Sequence, residues 1–136
     1  MRRRYFLSLA AAPLFADNRP VVRGRLTQAT SDTVLTLDGG RTVRLTGDEA
    51  TLGVLRDARL KNADFEAAGR FTGPNEFAVD LIHTRSLFAY VNGRRLMVTY
   101  WCDVCYIRTF TPGVCWCCQE DTALDLREPD APDPVP

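Results

Sequence analysis

Residues 33–48 read Thr33-Val-Leu-Thr-Leu37, Asp38-Gly39-Gly40, Arg41-Thr-Val-Arg-Leu45 and Thr46-Gly47-Asp48. Apolar and polar residues alternate through both arms, as half-buried strands require. The Asp-Gly-Gly between them is turn chemistry that folds one arm back on the other. The stretch is therefore a β-hairpin. After it the period changes. Leu52, Leu55 and Ala58 recur at helical spacing behind Asp48, a residue type suited to a helix N-cap, so a short helix is expected over residues 49–59.

Upstream, Val21-Val22-Arg23-Gly24-Arg25-Leu26 reads as a first strand, with Gly24 marking a bulge or a sharp bend. Downstream, residues 65–71 and 77–84 are two more strands, split by the turn Gly73-Pro74-Asn75. Three strands, a helix and two strands within about 65 residues is the element order of a five-stranded Greek-key barrel with its helix between the third and fourth strands. Residues 24–84, with D-G-G-x-x-V-x-L-x-G-D at their centre, resemble the small OB-fold domains of exported bacterial proteins. The resemblance covers less than half of the chain and rests on element order and length. It implies a barrel domain over residues 20–84; a different small barrel or part of a β-sandwich is the alternative.

Beyond Arg85 a second hairpin is expected. Residues 87–91 and 95–100 flank Asn92-Gly93, a dipeptide favoured in type I′ turns. The outgoing strand runs directly into the cysteines. All five in the chain fall here: Cys102, Cys105, Cys115, Cys117 and Cys118. Cys102 and Cys105 form one C-x-x-C pair, and Cys115 and Cys118 form a second. Two such pairs can complete a tetrahedral S4 shell around Zn²⁺, and the nine residues between the pairs are ample to fold back. Cys117 can replace Cys118 or add a fifth sulfur, because a C-x-C also reaches one ion. Residues 122–126 can supply a last strand. A hairpin, a C-x-x-C, a turn at Thr111-Pro112-Gly113, a second C-x-x-C and a strand together resemble a zinc ribbon or knuckle, here over residues 85–127. The spacing between pairs is shorter than a full ribbon's, which implies a compact knuckle.

Other chemistries use the same residues. Disulfides are natural outside the cytoplasm, though five thiols leave one over and adjacent Cys117 and Cys118 pair poorly. A redox C-x-x-C has Arg108 nearby to favour thiolate but lacks a thioredoxin-like βαβ setting. An iron–sulfur cluster takes four thiolates, and copper or another soft metal would use the surplus sulfur. Zinc in a closed S4 shell leaves no position for water, so it holds a fold together and hydrolyses nothing. Trp101 and Trp116, each beside a ligand, would either wall the site or pack in the core.

The remaining candidates are thin. His83 is the only histidine and sits in a strand pattern, where a hydrogen-bonded role is expected before a ligand role. No G-x-S-x-G is present to support a serine triad. Asp103 and Glu120 flank the cysteines as solvated acids. Arg94-Arg95 at the hairpin tip reads as an exposed turn that can contact an anion. Phe88, Tyr90, Tyr100 and Tyr106 form either core or a stacking platform.

Charge and composition restrict the function further. The chain has 136 residues, a formal net charge of zero and 46% apolar residues, consistent with one small globular unit. Lys61 is the only lysine among seventeen basic residues. Residues 17–118 carry thirteen basic and eleven acidic side chains, a balance that offers no large face for a phosphate backbone and disfavours nucleic acid as partner. Residues 1–16 read as an export signal: Met1-Arg2-Arg3-Arg4, an apolar stretch from Tyr5 to Phe15, then Ala16. Arg3-Arg4-Tyr5-Phe6-Leu7 resembles the core of twin-arginine signals, which carry folded proteins. No stretch approaches the ~20 apolar residues of a membrane span. Residues 128–136 are rich in Pro and Asp, and a disordered tail is expected.

Sequence alone therefore points to an exported, periplasmic, mainly β protein. It comprises an OB-like barrel followed by a hairpin and a zinc knuckle on Cys102, Cys105, Cys115 and Cys118. The expected role is a non-enzymatic binding or assembly module for a protein or small ligand. The alternative is a redox or soft-metal-handling protein in which the cysteines themselves work.

Overall fold

The computed structural model describes residues 18–28, 32–129 and 131–133. The expected leader, residues 1–16, lies outside them. Three strands open the fold: β1 (Val21–Gln28), β2 (Thr33–Thr36) and β3 (Thr42–Thr46). The alternation read from the sequence is the burial pattern, since Val22, Leu26, Leu35, Val43 and Leu45 all enter the core. Between β2 and β3 the chain turns through Asp38–Gly40.

A helix α1 (Glu49–Leu55) follows β3, and strands β4 (Asp64–Gly73) and β5 (Glu76–Val79) come after it. Pairing runs β1-β2-β3-β5-β4, and β4 returns to β1, which closes a five-stranded barrel. β3 and β5 are parallel, while the other barrel pairs are antiparallel. This closed, OB-like barrel carries its helix between the third and fourth strands, as the element order implies. Gly24 sits where β1 passes from one neighbour to the other: residues 21–25 pair with β4 and residues 25–28 with β2. A Cβ on Gly24 would lie 2.4 Å from the Thr36 carbonyl oxygen, so the glycine permits a close backbone approach at the bend.

Two sequence expectations change here. The helix stops at Leu55 rather than continuing to residue 59. Asp57 accepts a hydrogen bond from the Arg59 N–H and starts a separate 3-10 turn, Ala58–Leu60. Capping by Asp57 thus wins over the helical spacing of Ala58. The strand expected over residues 77–84 ends at Val79, where Asp80 is held by Arg19 and a 3-10 turn, His83–Arg85, redirects the chain.

The redirected chain forms β6 (Leu87–Val91) and β7 (Arg94–Cys102). Asn92 and Gly93 both have positive φ, the type I′ geometry that suits the twist of the flanking strands. β6 takes the edge of β4 that β5 has left, pairing with residues 64–67 opposite β1. Strands β8 (Ile107–Thr109) and β9 (Ala123–Arg127) then occupy opposite edges of β7. The core does not stop at Arg85. Leu87, Ala89, Val98 and Tyr100 belong to the same buried cluster as Leu26, Phe65 and Phe77. Of the expected tail, Asp133 forms an ion pair with Arg108 at 2.7 Å.

Candidate metal centre

Strand β7 delivers Cys102 at its last position, and the tight return into β8 carries Cys105. A second loop is pinched by a bridge between Val114 and Asp121 and carries Cys115 and Cys118. The two turns repeat one geometry. Tyr106 N–H donates to the Cys102 carbonyl at 2.9 Å, and Gln119 N–H donates to the Cys115 carbonyl at 2.7 Å. Tyr106 and Gln119, each directly after the second cysteine of a pair, have φ of 57° and 66°. A left-handed residue there reverses the chain so that both sulfurs of a pair face the same point. The Cys105 N–H also points at Cys102 Sγ, 3.4 Å away.

The Sγ atoms of Cys102, Cys105, Cys115 and Cys118 lie within 4.8 Å of one another. Cys102 Sγ and Cys118 Sγ are 3.5 Å apart. All five cysteines are free thiols, with Cys102 and Cys115 buried and Cys117 exposed. A tetrahedron with Zn–S bonds of ~2.3 Å needs sulfurs ~3.8 Å apart, so the four are almost at ligating separation. The group could hold a metal ion.

Electrostatics favour thiolate at one member. Backbone N–H groups of Cys118 and Cys117 aim at Cys115 and bring its thiol down to about 7, the hydrogen-bonding route by which an anion is stabilised. Cys105 moves the other way. Its hydrogen bond to the Cys117 thiol, and then burial, push it up. Sulfurs this close cannot all carry charge without a cation among them, and a metal ion in the site would supply that cation.

The site is tied to the barrel at several points. Arg59 Nη1 donates to the Thr122 carbonyl at 3.0 Å while its other nitrogens hold Asp57. The buried Tyr100 hydroxyl donates to the same Asp57 carboxylate at 2.8 Å. Thr122 Oγ1 donates to the Gly113 carbonyl and closes the second loop. Arg108 reaches Thr99 and Asp125 and lies over the Trp101 ring, 4.8 Å from its centroid.

His83 stays apart from the sulfurs and donates through Nε2 to the Phe110 carbonyl at 2.9 Å. Trp116 is 75% exposed, so it neither walls the site nor enters the core; Trp101 packs edge-on against Tyr106. Asp103 and Glu120 are exposed. Arg95 binds Glu66, and Arg94 meets Glu128, so both arginines of the hairpin tip are engaged within the chain. Phe88 and Tyr90 lie under the guanidinium groups of Arg95 and Arg23, Tyr100 is core, and Tyr106 is exposed. Sequence reasoning missed Tyr106 and Gln119. Their signal was position alone, since neither is the glycine or asparagine that normally advertises a left-handed turn.

Fold and site together define a mainly β protein: a closed OB-like barrel, extra strands, and a four-cysteine group near the C-terminus able to take a metal ion. Comparison with protein-family models, curated proteins and solved structures finds no match to this chain.

Proposed function

We propose that Cys102, Cys105, Cys115 and Cys118 bind one zinc ion as a closed thiolate shell, and that the protein is a non-enzymatic binding or assembly module stiffened by that metal. The observation that carries this reading is the pair of matching turns that converge four sulfurs within 4.8 Å. A single ion fits that separation, whereas a multi-iron cluster would hold its thiolates further apart. Four sulfurs leave no open coordination position, so the ion fixes the β7–β9 region and performs no hydrolysis. Cys117 is exposed and touches Cys105 but is not one of the four mutually close sulfurs, so it is the dispensable cysteine. The leader read at residues 1–16 supports export to the periplasm, and near-neutral charge supports a protein or small ligand rather than nucleic acid as partner.

Elemental analysis of protein purified under reducing conditions tests the reading, with one zinc per chain expected. Ser at Cys102, Cys105, Cys115 or Cys118 should abolish loading, while Cys117→Ser should keep it. Copper, iron, or metal-free protein with disulfides would instead support the redox or soft-metal alternative.

A further inference from the structure

A cleft of about 760 Å³ with no cysteine in its lining is bordered among others by Arg70, Asp80, Leu81, Ile82 and Arg85. We propose that it binds a small amphiphilic oxyanion, a carboxylate or phosphate monoester on an alkyl body. The apolar part would rest on Leu81 and Ile82, and the anionic head would be recognised by Arg70 and Arg85.

The first support is apolar exposure. Leu81 and Ile82 are 80% and 60% exposed and adjacent in sequence. Two consecutive large aliphatic side chains left in water mark a contact surface rather than a packing surface.

The second support is rigidity. Arg19 donates to Asp80 Oδ2 and Ser86 Oγ at 2.9 Å each and to the Arg85 carbonyl at 2.7 Å. Ser86 is buried and its hydroxyl donates to the Ile82 carbonyl at 2.9 Å. His83 bonds to Phe110 on the far side. A polar clamp therefore holds the segment at both ends and presents Leu81 and Ile82 outward in one arrangement, which lowers the ordering cost of binding.

The third support is charge. Both acids of the wall are already engaged: Asp80 with Arg19, and Asp48 with the Thr51 N–H at the start of α1. The side chains of Arg70 and Arg85 make no ion pair or hydrogen bond among the described residues. Two guanidinium groups beside apolar walls, in a cleft within the roughly 300–1,000 Å³ of small-molecule sites, select an anion with an apolar body.

The probes are dodecanoate and dodecyl phosphate, titrated below their aggregation concentrations into the full chain and followed by calorimetry and amide chemical shifts. At least one should bind saturably with its largest shifts over residues 78–86, and the two arms distinguish the headgroup. Uncharged dodecyl maltoside, and acetate without the alkyl chain, should bind at least about tenfold more weakly, as should R70Q/R85Q and L81S/I82S variants. Both arginines are exposed and their side chains make no ion pair or hydrogen bond among the described residues, so the first double variant should keep its fold, checked by its circular dichroism spectrum. Absence of saturable binding by both probes would overturn the proposal. So would equal binding of dodecyl maltoside, or unchanged affinity in R70Q/R85Q. Metal content is measured separately by elemental analysis of the same sample, so failure of binding here and failure of the zinc reading are distinguishable.

Discussion

At Gly69, β4 runs so close to β5 that an added Cβ would sit 2.0 Å from the Ala78 carbonyl oxygen. The obstacle is backbone on a paired strand, so relief requires the barrel itself to shift. Gly69→Ala is expected to cost about 1–3 kcal/mol, read as a lower denaturant midpoint at unchanged slope. Asp57 is the other decisive residue. Burial opposes its charge, yet the hydrogen bonds from Arg59 and Tyr100 outweigh burial and hold its carboxyl below the usual range. A carboxyl depressed in the folded state adds stability that is present above its unfolded value, near 3.9, and is lost as pH falls through the folded value. Wild-type protein should therefore lose stability below about pH 4 more steeply than Asp57→Asn. Tyr100→Phe should cost about 1.5–3 kcal/mol at neutral pH, since it removes a buried bond to a charged group. Equal acid profiles for wild type and Asp57→Asn would show that the carboxylate is not held as described.

Among the elements, β4 carries the greatest burden. Its first half is flanked by β1 and β6, and its second half pairs with β5. Removing β6 leaves residues 64–67 with an open edge, and loses Leu87, Ala89, Val98 and Tyr100 from the core. A fragment of residues 18–84 is also short enough that its burial is marginal. It should melt without a cooperative transition, whereas residues 18–133 should give one, as followed by far-ultraviolet circular dichroism. A sharp transition in the fragment would show the barrel to be a separate folding unit with its boundary near Arg85.

For the whole molecule, the cysteine loops and the barrel share hydrogen bonds: Arg59 to Thr122, and His83 to Phe110. Metal binding to such a site is folding free energy. Chelation under reducing conditions should raise amide exchange first over residues 102–122, then in β8 and β9, with β1 to β5 protected longest. Re-addition of Zn²⁺ should restore protection. Uniform exchange across the chain after chelation would instead mean that the metal holds the entire fold.

Local chemistry was enough for much of this protein. Alternation over residues 33–45, the Asp-Gly-Gly and Asn-Gly turns, and the spacing of the cysteine pairs are short-range signals, and each found its element. They identified a mainly β chain, a five-stranded barrel and a cysteine cluster, because strand period and turn preference depend on neighbours only a few residues away. Element ends were less legible, since Asp57 and Asp80 stop their elements through partners that periodicity does not reveal. Only the tertiary structure decided that β6 would take the vacant edge of β4 and merge the hairpin with the barrel's core. It also set the left-handed turns at Tyr106 and Gln119, residues whose side chains do not signal them. Those outcomes depend on edges, volumes and hydrogen-bond partners brought together from distant parts of the chain, and such information exists only once the sheet has closed.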